Sequence, residues 1–142
     1  MALNIVKLAV GATTLDDLRD FQERRRKQRR QKPATPHKVF TRNGPKQKDE
    51  LVDGGSLYWV IKGFIRARQK FVGFDEARDE EGRKYCIFLV DRAVVPTAAW
   101  PQQAFQGWRY LDVTRAPPDL KAGDSADLPA EMAAELRRLG LL

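Results

Sequence analysis

The chain has 142 residues, 42% hydrophobic and 32% charged, with a formal net charge of +7. That length suits one domain over residues 1–142, which buries about two-thirds of its unfolded surface and needs no metal or disulfide to hold a core. The composition excludes a disordered chain, and no run approaches the roughly 18 apolar residues of a membrane span. The charge is uneven: residues 1–74 carry 17 Lys/Arg against 7 Asp/Glu (+10), and residues 75–142 carry 9 against 12 (−3). Such asymmetry favours a polyanion or an acidic surface as partner of the first half.

In chain order, the β-prone and partly alternating run Leu3–Val10 predicts a first strand. It lacks the basic leader of a signal peptide, so the expected location is the cytoplasm. Thr13 or Thr14 then caps a helix whose first turn carries Asp16 and Asp17, matching the positive end of its dipole. Leu15, Leu18 and Phe21 give that helix an apolar stripe. From Arg24 to Lys32 it is polar all round, so its second half is expected to project into solvent until Pro33 and Pro36 end it. His37–Thr41 reads as a short strand, Asn43-Gly44-Pro45 as a turn, and Lys46–Val52 as one or two helical turns.

Leu57–Ile65 fits two periods. With period two, Leu57, Trp59, Ile61 and Ile65 share a face; with period 3.6, Leu57, Val60, Ile61, Phe64 and Ile65 do. Gly63 and the aromatic and β-branched content favour a strand. Arg68–Glu76 and Arg83–Asp91 form a predicted hairpin about the turn Asp79-Glu80-Glu81-Gly82. Its second strand contains the unbroken apolar run Tyr85–Val90, extended by Val94-Val95 up to Pro96, and is expected to be buried on both faces. Cys86 lies in that run; a lone cysteine there reads as a small core residue. A loop is predicted between Trp100-Pro101 and Pro117-Pro118. A last helix opens at Pro129, with Leu128, Met132, Leu136 and Leu139 on one face, and closes at Gly140. The predicted class is α+β: a mostly antiparallel sheet, open or curled into a partial barrel, with a basic N-terminal helix and a short C-terminal helix.

Gly54-Gly55-Ser56-Leu57-Tyr58-Trp59-Val60-Ile61-Lys62-Gly63, Arg68-Gln69, Phe105-Gln106-Gly107-Trp108-Arg109-Tyr110-Leu111 and Pro117-Pro118-Asp119-Leu120 together resemble the bacterial family called domain of unknown function 1489. The opening strand, the helix after it and the terminal Leu-rich helix fit as well, so the resemblance spans nearly the whole chain. It implies a small bacterial cytoplasmic protein. It carries no activity, cofactor or catalytic residue onto these positions.

Three features carry chemistry. From Arg24 to Lys32 seven of nine residues are Lys or Arg. Arg24, Arg25, Arg26, Lys27, Arg29 and Arg30, with no acid among them, repel one another, which favours a polyanion that would follow the helix and release counterions. The alternative is a solvated helix end that aids solubility. Lys62, Arg66, Arg68 and Lys70 form a second basic set; in an extended chain they share a side with Tyr58 and Phe64, an arrangement suited to RNA or single-stranded DNA. If Phe64 is core or the segment is helical, that face does not exist. Third, Arg42, Trp108, Arg109 and Tyr110 are candidates for a pocket in which Arg109 grips a phosphate or carboxylate. The competing reading has Phe105, Trp108 and Tyr110 pinning a long loop to the core.

Catalytic options are thin, and the reading leans against an enzyme. His37 is the only histidine, which excludes multi-histidine metal sites, and no cofactor or metal is expected. Gly54-Gly55-Ser56 lacks the lysine and spacing of a phosphate-binding loop, and there is no Gly-x-Ser-x-Gly nucleophile elbow. The leading expectation is an accessory nucleic-acid-binding protein, RNA ahead of DNA. The alternatives are an enzyme or sensor for a small anionic ligand near Arg109 and Trp108, and an adaptor for an acidic protein partner.

Overall fold

A computed structural model describes residues 3–28, 36–103 and 105–120. In chain order these form β1 (Asn4–Leu8), α1 (Leu15–Gln28), β2 (His37–Thr41), α2 (Lys48–Val52), β3 (Ser56–Ile61), β4 (Phe64–Arg78), β5 (Lys84–Val90), β6 (Val95–Pro101) and β7 (Trp108–Leu111), followed by a short 3-10 turn at Val113–Arg115. The expected C-terminal helix with Leu128, Met132, Leu136 and Leu139 lies outside the described residues.

The strands make one seven-stranded mixed sheet, six of them in the order β2-β5-β4-β3-β1-β7 and β6 pairing with β4 off that path. β1 runs parallel to β3; the other described pairings are antiparallel. The 15-residue β4 organises the sheet: β5 pairs with its Phe71–Arg78 portion, and β6 takes over along Phe64–Arg68. The α+β class therefore holds, but the sheet is not closed into a barrel. Its end strands β2 and β7 approach through side chains and loop backbone instead of a ladder. The Trp108 indole N–H donates to the Asn43 carbonyl at 2.7 Å, and the Lys46 N–H donates to the Tyr110 hydroxyl at 3.0 Å.

Strand alternation sorts the core into two faces. Ile5, Leu57, Trp59, Phe71 and Phe88 belong to the main core, which α1 covers with Leu15 and Leu18. Val6, Tyr58, Val60, Ile65 and Leu111 form a second cluster, with Phe105 and Ala116 packed against it. Phe71, Phe74 and Phe88 meet ring to ring at 5.2–5.6 Å, and Phe88 reaches Trp108 at 6.1 Å.

Leu57–Ile61 is strand, as the β-branched content implied, but Leu57–Ile65 is not one strand. Lys62 and Gly63 take φ of +50° and +80°, and Ile61 pairs with Phe64 across them. Two left-handed residues in a row make the tight turn whose twist matches a hairpin. The hairpin at Asp79–Gly82 is as predicted, sealed by Asp79 Oδ1 accepting from the Glu81 and Arg83 N–H groups. Val94-Val95 does not extend β5: the chain leaves the strand after Val90 and β6 begins at Val95. Within the expected loop, residues 108–111 form a strand instead, because β1 offers Asn4–Lys7 as an unpaired edge.

The Gly54-Gly55-Ser56 string has a structural cause. Gly54 sits at φ +87°. A Cβ on Gly55 would stand 2.1 Å from the Leu3 carbonyl oxygen and 2.4 Å from that of Leu51. The Ser56 N–H then donates to the buried Asn4 Oδ1 at 2.9 Å, tying β3 to β1.

Candidate functional site

Helix α1 is placed by a cap at one end and a polar contact near the other. Thr14 Oγ1 accepts from the Asp17 N–H at 3.1 Å, while the Asp17 carboxylate accepts from the Thr13 and Thr14 N–H groups at 3.0 and 3.2 Å. This reciprocal cap holds the Asp17 carboxyl below the usual carboxylate range, chiefly through the Thr13 hydroxyl and N–H. The buried stripe then runs Leu15, Leu18, Gln22, Arg26. In the described part of the basic half, Arg24, Arg25, Lys27 and Gln28 are exposed, as expected, but Arg26 turns inward at 9% exposed, one turn after Gln22 at 4%.

Gln22 is buried because the sheet presents it with a partner. Gln69, at an inward position of β4 and 0% exposed, exchanges two hydrogen bonds with the Gln22 amide at 2.7 and 2.8 Å. The same Gln69 accepts from the Trp59 indole N–H and donates to the Asp91 carbonyl, both at 2.9 Å. All four capacities of one amide are used in the core, which fixes the helix on the sheet.

Beside this bridge lies a cleft of about 520 Å³ between α1 and the ends of β1 and β2, whose lining includes Lys7, Phe21, Gln22, Arg25, His37 and Trp59. Its described lining holds no carboxylate. Lys7 falls on the inward side of β1, in step with Ile5, at a position alternation reserves for apolar residues. Burial, reinforced by the charge of Arg25, holds the Lys7 ammonium below its usual value. On the outer side Arg24, Arg25 and Lys27 are exposed, with the Arg24 guanidinium 5.2 Å over the Phe21 ring. A cavity of this size with two cations, an aromatic wall and no described acid can hold an anion that carries a flat or apolar body.

The other predicted site residues are dispersed. Arg29 and Arg30 lie outside the described residues. Arg68 and Lys70 alternate along β4 with Gln69, so they face away from α1 and do not form one surface with the helix charges, while Arg66 stands at the bulge between Ile65 and Ala67. Lys62 stands in the tight turn. Arg68 is committed to Asp119, with Nε and Nη2 on its two carboxylate oxygens at 2.7 and 2.8 Å, and a third bond from Nη1 to Ser56 Oγ at 3.1 Å. Tyr58 is 7% exposed inside the second core cluster, so the expected basic–aromatic face is largely covered.

Among the described residues, the four candidates for a pocket around Arg109 turn to different partners. Trp108 and Tyr110 point to the loop after β2, which they pin as described above. Arg109 stacks over Phe105 at 4.5 Å. Arg42 turns to Asp79 Oδ2 at 3.2 Å on the β4–β5 hairpin. Neither cleft flanking α1 is lined by these four residues.

Sequence reasoning missed Lys7, Gln22 and Gln69. The available signal was register: Lys7 follows Ile5 by two, and Gln69 lies between Ala67 and Phe71 on the inward face of β4. A polar residue at an inward strand position is held by a partner, lines a cavity, or both.

Among the described residues no helix is long and apolar enough to cross a membrane, and no group of three or more His, Cys, Asp or Glu is placed to hold a metal ion. The family model described as "Protein of unknown function (DUF1489)" matches residues 5–142, so the chain belongs to that family. No curated protein and no solved structure gives a significant match.

Proposed function

We propose that this member of the DUF1489 family binds nucleic acid, RNA ahead of DNA, along the exposed basic face of α1 and in the cleft beneath it. The observation that supports this most is the cleft itself. Lys7 and Arg25 stand together in a cavity whose described lining has no carboxylate to balance them. A phosphate entering there relieves the repulsion between the two cations and replaces water around a half-buried ammonium. Arg24 and Lys27 continue the positive surface outward, so a strand seated in the cleft meets further phosphate contacts. A cleft beside an aromatic ring, too narrow for a helix of paired strands, suits an unpaired nucleotide better than a duplex, which is why single-stranded RNA leads.

The test is fluorescence anisotropy with single-stranded RNA over a salt series. The log–log slope on a single strand is about −0.7 per neutralised phosphate. Charge reversal at Arg24, Arg25 and Lys27 flattens the slope by about 2, the equivalent of three phosphates at ~0.7 each. Absence of binding at low salt, or an unchanged slope, removes the proposal.

A second reading, a small anionic ligand in the same cleft, is supported by its volume of about 520 Å³, which falls in the range of small-molecule pockets. It predicts thermal stabilisation by a nucleoside monophosphate that Lys7→Met abolishes and charge reversal at Arg24 and Lys27 leaves intact.

A further inference from the structure

On the other flank of α1 the geometry points to a separate site for a phosphate group, built by Arg26, Arg92 and Arg19. A second cavity of about 210 Å³ is lined by these three arginines together with Gln22, Glu23 and Val94. Gln22 lines both cavities, so its amide bridge to Gln69 forms part of the wall between them.

The central residue is Arg26. Its side chain is 10% exposed. Its Nη2 donates to the Glu23 carboxylate, but Nε and Nη1 are buried with no acceptor among the described residues. An arginine cannot shed its charge to escape such a site, and an unmet charged donor is among the costliest groups to bury. Glu23 also lies 4.0 Å from Arg92 Nη2, so one carboxylate draws two guanidinium groups to the same cavity. Arg19 closes the other end, donating from Nη2 to the Val94 carbonyl at 3.4 Å, with Asp16 3.6 Å from its Nη1. The lining gathers three guanidinium groups around one carboxylate, and a phosphate monoester or hydrogen phosphate supplies the acceptor oxygens that Arg26 Nε and Nη1 lack among the described residues. Several guanidinium donors on one tetrahedral anion is the arrangement arginine is suited to. The site does not rest on the nucleic-acid reading, since either free phosphate or a nucleic-acid terminal phosphate supplies the same group.

The experiment is thermal unfolding and isothermal titration of the full chain with sodium phosphate against sodium chloride at matched ionic strength. Phosphate raises the midpoint specifically, and Arg92→Ala and Arg26→Lys each weaken its binding by about tenfold or more. Arg92 is half-exposed, so its variant tests the site even if the Arg26 variant folds poorly. A parallel arm compares an oligonucleotide bearing a 5′-phosphate with its 5′-hydroxyl form. A preference for the phosphorylated form that Arg92→Ala removes assigns the site to a nucleic-acid end; phosphate binding without that preference assigns it to free phosphate. If phosphate stabilises no more than chloride, or if both variants bind it as the parent does, the site does not exist. Failure of the salt-slope experiment leaves this result unaffected.

Discussion

Replacing Gln69 by leucine should strongly destabilise the protein. Leucine keeps the approximate bulk but removes every polar capacity of the amide. The Gln22 amide and the Trp59 indole N–H lose their partner inside the core, and the Asp91 carbonyl loses one nearer the surface. An orphaned buried polar group costs about 1–3 kcal/mol, so two such groups and one partly solvated carbonyl sum to about 3–6 kcal/mol. Against a total stability of roughly 5–15 kcal/mol for a domain, that is a large fraction. Gln22→Leu, which leaves Gln69 bonded to Trp59 and Asp91, should cost less, about 1–2 kcal/mol. Equilibrium urea unfolding followed by tryptophan fluorescence measures both variants and the double mutant. A double-mutant cycle should return about 1 kcal/mol or more of coupling between the two glutamines. Should Gln69→Leu lie within about 1 kcal/mol of the parent, or the cycle come out additive, the amide bridge does not anchor α1.

Gly55→Ala should cost about 4 kcal/mol or abolish soluble expression, because both atoms its Cβ meets are backbone carbonyl oxygens that cannot rotate away. Gly63→Ala is the control: φ is +80° but nothing lies within 4 Å, so the penalty is the left-handed strain of about 1–2 kcal/mol alone. A Tm for Gly55→Ala no lower than that of Gly63→Ala would refute the close-approach account. The Arg68–Asp119 pair predicts a pH effect. Hydrogen bonding from Arg68 lowers the Asp119 pKa below its unfolded value of about 3.9, so its stabilisation is present above that pH and disappears as pH falls through the folded value. The pair is partly solvated, so the contribution is at most about 1 kcal/mol. Asp119→Asn should lower stability at pH 7 by that amount and converge with the parent near pH 2; a constant gap across the range would show that the charge is not the cause.

The elements built from local chemistry were legible in the chain. Thr14 and Asp17 cap α1, Asp79 and Gly82 turn the β4–β5 hairpin, and the run to Val90 is a strand because its residues pack on a pleated surface. These signals act between neighbours a few residues apart, so the order of residues carries them. The Lys62-Gly63 turn was harder to read because its first residue is not one of the usual left-handed formers, and β7 was hidden because its pairing partner is more than a hundred residues earlier. The charge on α1 was also plain, but which of its cations face water was not. Arg26 looks like its neighbours in sequence. It is buried because Gln69, 43 residues later, draws Gln22 inward and turns that stripe of the helix onto the sheet.

The sequence by itself determined the class of the domain, most of its strands and the basic character of its N-terminal helix, because propensity, capping and charge are local properties. Only the tertiary structure decided that Arg68 and Lys70 face away from that helix, that Trp108 and Tyr110 fasten an edge strand, and that Lys7, Arg25 and Arg26 line cavities. Those outcomes depend on strand register and on which face each alternate residue takes. Register is set by pairing across the whole sheet, through contacts between residues far apart in the chain.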